Sequence, residues 1–168
     1  MTMWHELAAR SNQIATANGF DQPSWKNLPI KIMLIITELD EGVDYVNGGT
    51  GEPLSEELAD ATIRLLSILH ALYEDAWHER SPALSVPCSP FQRPESLFWA
   101  PIVRPLCRAV ETWRHDNAAD TQTWLELTLT GLIAVAGALN IHLENEVLRK
   151  CVKNSQRPFR HGKVRSEG

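Results

Sequence analysis

The sequence of 168 residues predicts an all-α fold, and three observations carry that expectation. No segment sustains the period-2 alternation of a half-buried strand. Apolar residues recur instead at helical spacing: Leu54, Leu58, Ala61, Leu65, Ile68 and Leu72 follow steps of three and four and draw one packing stripe. Turn signals at Gly19 and Asn47-Gly48-Gly49, with a cluster of prolines further on, cut the chain into pieces of helix length. The expected architecture is a single domain spanning residues 1–168, an antiparallel bundle of four or five helices.

The first helix runs from about Thr2 to Asn18 and stops at Gly19, which accepts a left-handed conformation. A loop, residues 20–28, leads to a second helix, where Pro29 suits the first turn. Its run from Ile30 to Leu39 is apolar on nearly all sides, the mark of a central helix, and it continues to about Val46. The third helix begins near Pro53 and reaches about Glu79. Six of the ten prolines then fall at positions 82, 87, 90, 94, 101 and 105. That density excludes a continuous helix or a central strand and predicts a long ordered loop or insertion over 81–105. A fourth helix is expected from about Ile102 to Asn117 and a fifth from about Thr121 to Lys153, ahead of a basic tail over 154–168.

A hydrophobic content of 43% is enough for a real core, while a net charge of −5 and a pI near 5.7 speak against a nucleic acid polymer or a membrane as partner. Positive charge gathers locally, in Arg149, Lys150, Lys153, Arg157, Arg160, Lys163 and Arg165 with no acid among them, and this suits a small anionic ligand. Cys88, Cys107 and Cys151 are widely spaced with no zinc-ligand pattern, and read as reduced thiols of a cytoplasmic protein. The N-terminus lacks the apolar core of a signal peptide. Leu127 to Ile141 holds no charge, but its 15 residues fall short of the roughly 20 that span a bilayer. A core helix or an oligomer interface is the expectation there. Six tryptophans and this apolar helix also predict a homo-oligomer, a dimer or a dimer of dimers.

The chemistry resides in two acidic pairs, Glu38/Glu41 and Glu57/Asp60, on the second and third helices across the Gly-rich turn. Residues three apart lie on one helix face, so each pair offers two carboxylates side by side. Glu38 and Glu41 follow a nearly continuous apolar run, and Glu57 and Asp60 adjoin the leucine stripe. Carboxylates beside a core are costly unless paired or metal-bound, and a hard divalent cation with oxygen ligands is their natural counter-charge. Against this stands the plain alternative that such pairs are solvated helix faces, since Glu is a common helix former.

The segments ELDE at 38–41 and ELAD at 57–60, together with Lys150, Lys153, Asn154, Arg157 and the run RPFRHGK at 157–163, resemble the MazG-like all-α nucleoside triphosphate pyrophosphohydrolases. That family carries E-x-x-E, a spacer, then E-x-x-D, and several branches end in Lys, Asn and Arg followed by a basic tail with His-Gly-Lys. The resemblance implies that Glu38, Glu41, Glu57 and Asp60 are catalytic and bind Mg²⁺, with Mn²⁺ as a substitute. A (d)NTP would be cleaved between its α- and β-phosphates to (d)NMP and pyrophosphate. It also implies that Lys150, Lys153, Asn154, Arg157, Arg160, His161 and Lys163 bind the phosphates. The forked donors of Arg157 and Arg160 suit phosphate oxygens. Many members have a further Glu directly before the first motif, where this chain has Thr37, so Glu41, Asp40 and a metal-bound hydroxide all remain as the water-activating base. Trp25, beside Lys26 and Asn27, is a candidate nucleobase contact, with a core anchor as its ordinary role. His70, His78 and His142 have no partner set, and His115 neighbours only Asp116.

Two other functions compete. A di-iron bundle requires Glu-x-x-His on two helices, and Asp75-x-x-His78 is the nearest substitute. A non-catalytic helical module that binds nucleotides or a protein partner would have little reason to keep four carboxylates beside an apolar face.

Overall fold

The computed structural model describes residues 3–74, 76–77 and 97–157. The calls on Asp75, His78, Cys88, Arg160, His161, Lys163, Arg165 and most of 81–105 lie outside the described residues. Those residues form six α-helices and no strand: α1 (Met3–Ala17), α2 (Leu28–Val46), α3 (Leu54–Tyr73), α4 (Arg104–Arg114), α5 (Ala118–Ala138) and α6 (Leu143–Ser155). A 3₁₀ turn, Trp25–Asn27, precedes α2, and a π-helical turn, Trp99–Val103, precedes α4.

Local chemistry sets most boundaries. Pro29 lies in the first turn of α2, and Asn47 and Gly48 close it, Gly48 at a φ of 92°. The first turn of α3 holds Glu56 and Glu57, where the helix dipole favours negative charge. The Asn117 side chain caps α5 by accepting from the Asp120 amide at 3.1 Å.

Three expectations are corrected. The third helix stops at Tyr73 rather than near Glu79, because Glu74 turns left-handed at a φ of 47°. The fourth begins at Arg104 instead of Ile102, since the π-helical turn takes up 99–103. The single long fifth helix is two: the chain breaks at Leu139–His142, with Asn140 at a φ of 55°, and α6 leaves α5 at 106°. The described residues therefore hold six α-helices, and no single one of them is long and apolar enough to cross a membrane.

The hub is α3, which packs on α1, α2, α5 and α6, and buries Leu58, Ala61, Leu65, Leu66, Ile68 and Leu69 completely. That differs from the expectation that α2 would be central. Ile32 and Ile35 of α2 face the core, yet Ile30 and Met33 stand 66% and 57% exposed on its outer side. Trp99 is likewise exposed, whereas Trp4 and Trp77 are core residues. The uncharged stretch in α5 is mostly buried, with Leu129, Leu132, Val135 and Ala136 in the core, so its apolar character is accounted for within one chain.

The α2–α3 crossing positions the site. Glu38 meets Arg64 and Gly42 meets Glu57, so the two helices run antiparallel. They approach closely because Gly42 has no side chain: a Cβ there would come within 2.7 Å of Leu54 Cδ1 and 3.2 Å of the Glu57 Cβ.

Candidate metal centre

Glu38 and Glu41 lie one turn apart on α2, and Glu57 faces them from α3. Each offers a carboxylate oxygen to a cluster whose atoms all lie within 4.8 Å of one another. Glu38 and Glu57 are buried, and Glu41 opens to solvent. The three border a cleft of about 490 Å³ in which six carboxylates, those of Glu38, Glu41, Asp44, Glu52, Glu57 and Asp60, face only two guanidinium groups, Arg64 and Arg157.

Burial and crowding show in the ionisation. Desolvation pushes the Glu57 carboxyl up to about 8, reinforced by a hydrogen bond to Glu38 and by the charges of Glu38, Glu41 and Asp60. Burial likewise raises Asp60 to about 7, with Glu38 adding to the effect and Arg64 and Arg157 opposing it. Carboxylates outnumber cations along the cleft, and their all-oxygen donor set fits a hard divalent cation such as Mg²⁺ or Mn²⁺. Asp40 is exposed and does not line the cleft, so of the two side-chain bases left open by the sequence only Glu41 stands inside it.

Asp60 stands apart from the three-glutamate cluster. Its carboxylate meets Lys150 Nζ of α6 at 2.8 Å, and the Lys150 side chain is only 2% exposed. Lys150 also contacts Glu52 and, at 3.2 Å, Glu56. Burial lowers the Lys150 ammonium to about 8, with repulsion from Lys153 and Arg157 acting in the same direction. Lys153 pairs with Glu52 at 2.7 Å and Glu56 at 2.9 Å, and Arg149 with Glu56 at 3.2 Å. The basic face of α6 is thus docked on the acidic start of α3.

Arg64 occupies Glu38, its Nε donating to Oε1 at 2.6 Å while Nη2 also contacts that oxygen. Arg157 reaches Glu52 Oε1 at 4.0 Å. Asp60, Arg64 and Arg157 together form the wall between the acidic cleft and a second cavity of about 310 Å³. Ile14, Phe20, Pro23, Leu34 and Ile63 give that cavity an apolar lining. Its rim is polar. Asn18 Nδ2 donates to the Asn154 carbonyl at 2.9 Å, and Lys31 Nζ donates to the Asp21 carbonyl at 2.5 Å. The Asn154 Oδ1 is buried with no hydrogen-bond partner.

Trp25 borders neither cavity. Its indole donates to Asp116 Oδ1 at 3.1 Å, its carbonyl accepts from Trp113 Nε1 at 2.7 Å, and its ring packs on the core, so it anchors the loop to α4. The aromatic ring at the second cavity is Phe20. Arg64, Glu52, Glu56 and Phe20 escaped the sequence reading. Arg64 had a legible signal, since it follows Asp60 by four and Glu57 by seven on one helix face.

Compared with protein-family models, curated proteins and solved structures, the chain gives no match. The site is therefore interpreted from its own geometry.

Proposed function

We propose that this chain is a Mg²⁺-dependent nucleoside triphosphate pyrophosphohydrolase of the MazG-like type, cleaving a (d)NTP to (d)NMP and pyrophosphate. The observation that carries the reading is the pairing of an acidic cleft with an apolar cavity across one shared wall of Asp60, Arg64 and Arg157. A triphosphate is polyanionic at one end and flat and apolar at the other, and two adjoining compartments of these characters match it. The second cavity, at about 310 Å³, lies at the lower end of the range for small-molecule sites and has room for a nucleobase against Phe20 and Ile14.

Glu38, Glu41, Glu57 and Asp60 would hold the metal, with Mn²⁺ as a substitute. When bound, the ion supplies charge neutralisation at the phosphate oxygens and a lowered water pKa. Arg157 and Arg64 stand where the two compartments join and offer forked donors to phosphate oxygens. Glu41, exposed at the cleft, is placed to take a proton from an attacking water. Water attack at the α-phosphorus would break the α–β anhydride and release pyrophosphate.

The test is turnover of a panel of canonical and modified ribo- and deoxyribonucleoside triphosphates, with Mg²⁺ and with EDTA, resolving mono- from diphosphate products. Monophosphate and pyrophosphate that vanish with EDTA support the reading. No turnover of any triphosphate, with Mg²⁺ binding retained, shifts it to a nucleotide-binding or partner-binding module.

A further inference from the structure

Two of the four carboxylates already have a cation each, and the two cations are of different origin. Glu38 is held by Arg64, from the helix that carries Glu57 and Asp60. Asp60 is held by Lys150, from α6. Lys150 is buried with its ammonium among Asp60, Glu52 and Glu56, whereas Arg64 retains a partly exposed side chain, 39%, at the boundary of both cavities. Among the described residues Glu41 and Glu57 have no such cation in the cleft, and Glu57 is hydrogen-bonded to Glu38 instead. The arrangement neutralises Glu38 and Asp60 by internal cations and leaves Glu41 and Glu57 open.

We propose that Arg64 and Lys150 are resident counter-ions that compete with the divalent cation for Glu38 and Asp60, so that loading the site and freeing Arg64 for a phosphate are one event. The idea rests on the metal reading of the cleft and adds a coupling to it. Arg64 takes only Oε1 of Glu38 and Lys150 only Oδ2 of Asp60, so a divalent ion that uses both oxygens of either carboxylate displaces the resident cation, and one that uses the remaining oxygen is repelled by it. Arg64 lines both cavities and faces the place where a triphosphate would lie, whereas Lys150 lines neither and keeps Glu52 and Glu56 as partners when Asp60 is withdrawn. Both functions then favour each other: a phosphate chain that recruits Arg64 leaves Glu38 to the ion, and by linkage the ion and the nucleotide each tighten the other's binding. A device of this kind also suppresses futile loading by metal alone, since the ion must overcome the charge of the resident cations.

The experiment is a Mn²⁺ titration of the full chain without nucleotide, followed by the electron paramagnetic resonance of the free ion, at mildly alkaline pH and with a melting curve for each variant. Lys150→Met removes the cation on Asp60 and approximates its volume, and Arg64→Gln independently removes the one on Glu38. Lys153→Gln removes the same unit of charge from the same basic face but leaves both carboxylates engaged, because among the described residues Lys153 pairs with Glu52 and Glu56 and with neither Glu38 nor Asp60. Release from a charge-assisted contact should tighten Mn²⁺ binding by about tenfold or more in Lys150→Met and Arg64→Gln, and by less than about threefold in Lys153→Gln. Equal tightening in all three reduces the effect to net charge and overturns the proposal, as does unchanged or weaker binding in both Lys150→Met and Arg64→Gln. If Lys150→Met does not fold, Arg64→Gln decides alone. Absence of Mn²⁺ binding in wild type and every variant, with or without a triphosphate, removes the metal reading itself and the exchange with it.

Discussion

Replacing Gly42 by Ala tests whether the α2–α3 approach sets the spacing of the carboxylates. The new methyl would meet Leu54 Cδ1 at 2.7 Å and Glu57 Cβ at 3.2 Å. The first neighbour is the end of a side chain and can swing away, but the second is fixed to the α3 backbone. Overpacking of this degree costs about 1–3 kcal/mol, and the better helix propensity of Ala returns about 1 kcal/mol. A net loss of about 0–2 kcal/mol follows, which lowers Tm by about 2–4 °C for each kcal/mol in a chain of this size. Metal affinity should fall further than stability does, by about tenfold or more, because a ligand constellation tolerates displacements of only about 0.5 Å. In the double variant Gly42→Ala/Leu54→Ala the methyl gains room where Leu54 Cδ1 was, so the two stability losses should couple favourably, while the contact with Glu57 persists and affinity stays low. The assay pairs melting curves with Mn²⁺ titrations. A Gly42→Ala protein that melts lower yet binds Mn²⁺ as wild type does would refute the link between the close approach and the carboxylate geometry.

Other outcomes are equally specific. Glu41→Gln and Asp60→Asn should each abolish triphosphate turnover with helix content unchanged by circular dichroism, and activity surviving in both would remove the carboxylates from the chemistry. Arg157→Ala should mainly raise KM, as expected for a ground-state phosphate contact, and a mutant with unchanged KM and kcat would place Arg157 outside the site. The pH dependence of stability should be unusual without metal. Glu57 and Asp60 titrate near 8 and 7 in the folded chain, above their ordinary 4.5 and 3.8, so the folded state holds more protons than the unfolded one between those limits. Stability then decreases as pH rises from about 4 towards 8, and Lys150, held down at about 8, contributes the opposite slope only above that value. Because a divalent ion takes the place of the protons, Mg²⁺ should raise Tm more at about pH 8 than at about pH 6, and equal protection at both would contradict the raised values.

The parts of the fold legible in the sequence are those governed by neighbours along the chain. Gly19 ended α1, Pro29 opened α2 and Asn47-Gly48 closed it, as local preference requires. The break at Asn140 carried a signal too, an Asn suited to a left-handed turn, but the apolar run through Ile141 concealed it because hydrophobicity says nothing of direction. Glu74 gave no signal, being neither Gly nor Asn. In the site, the three glutamates could be placed together because one helical turn and one hairpin fix them. The partners of Lys150 could not be foreseen, since Glu52 and Glu56 lie 98 and 94 residues away and are brought to it only by the fold of α6 over α3. Phe20 and Trp25 illustrate the same limit. Both stand in one loop, and only the packing of that loop on α4 decides which ring meets the cavity.

The docking of α6 on α3 also has a consequence in time. During synthesis the acidic wall leaves the ribosome first, and its ammonium partner follows 94 residues after Glu56. At about 5–20 residues per second the nascent chain spends about 5–20 s with Glu52, Glu56 and Asp60 facing no Lys150. For that interval the acidic start of α3 has no counter-charge from α6, which reaches it only when Lys150 and Lys153 have been made.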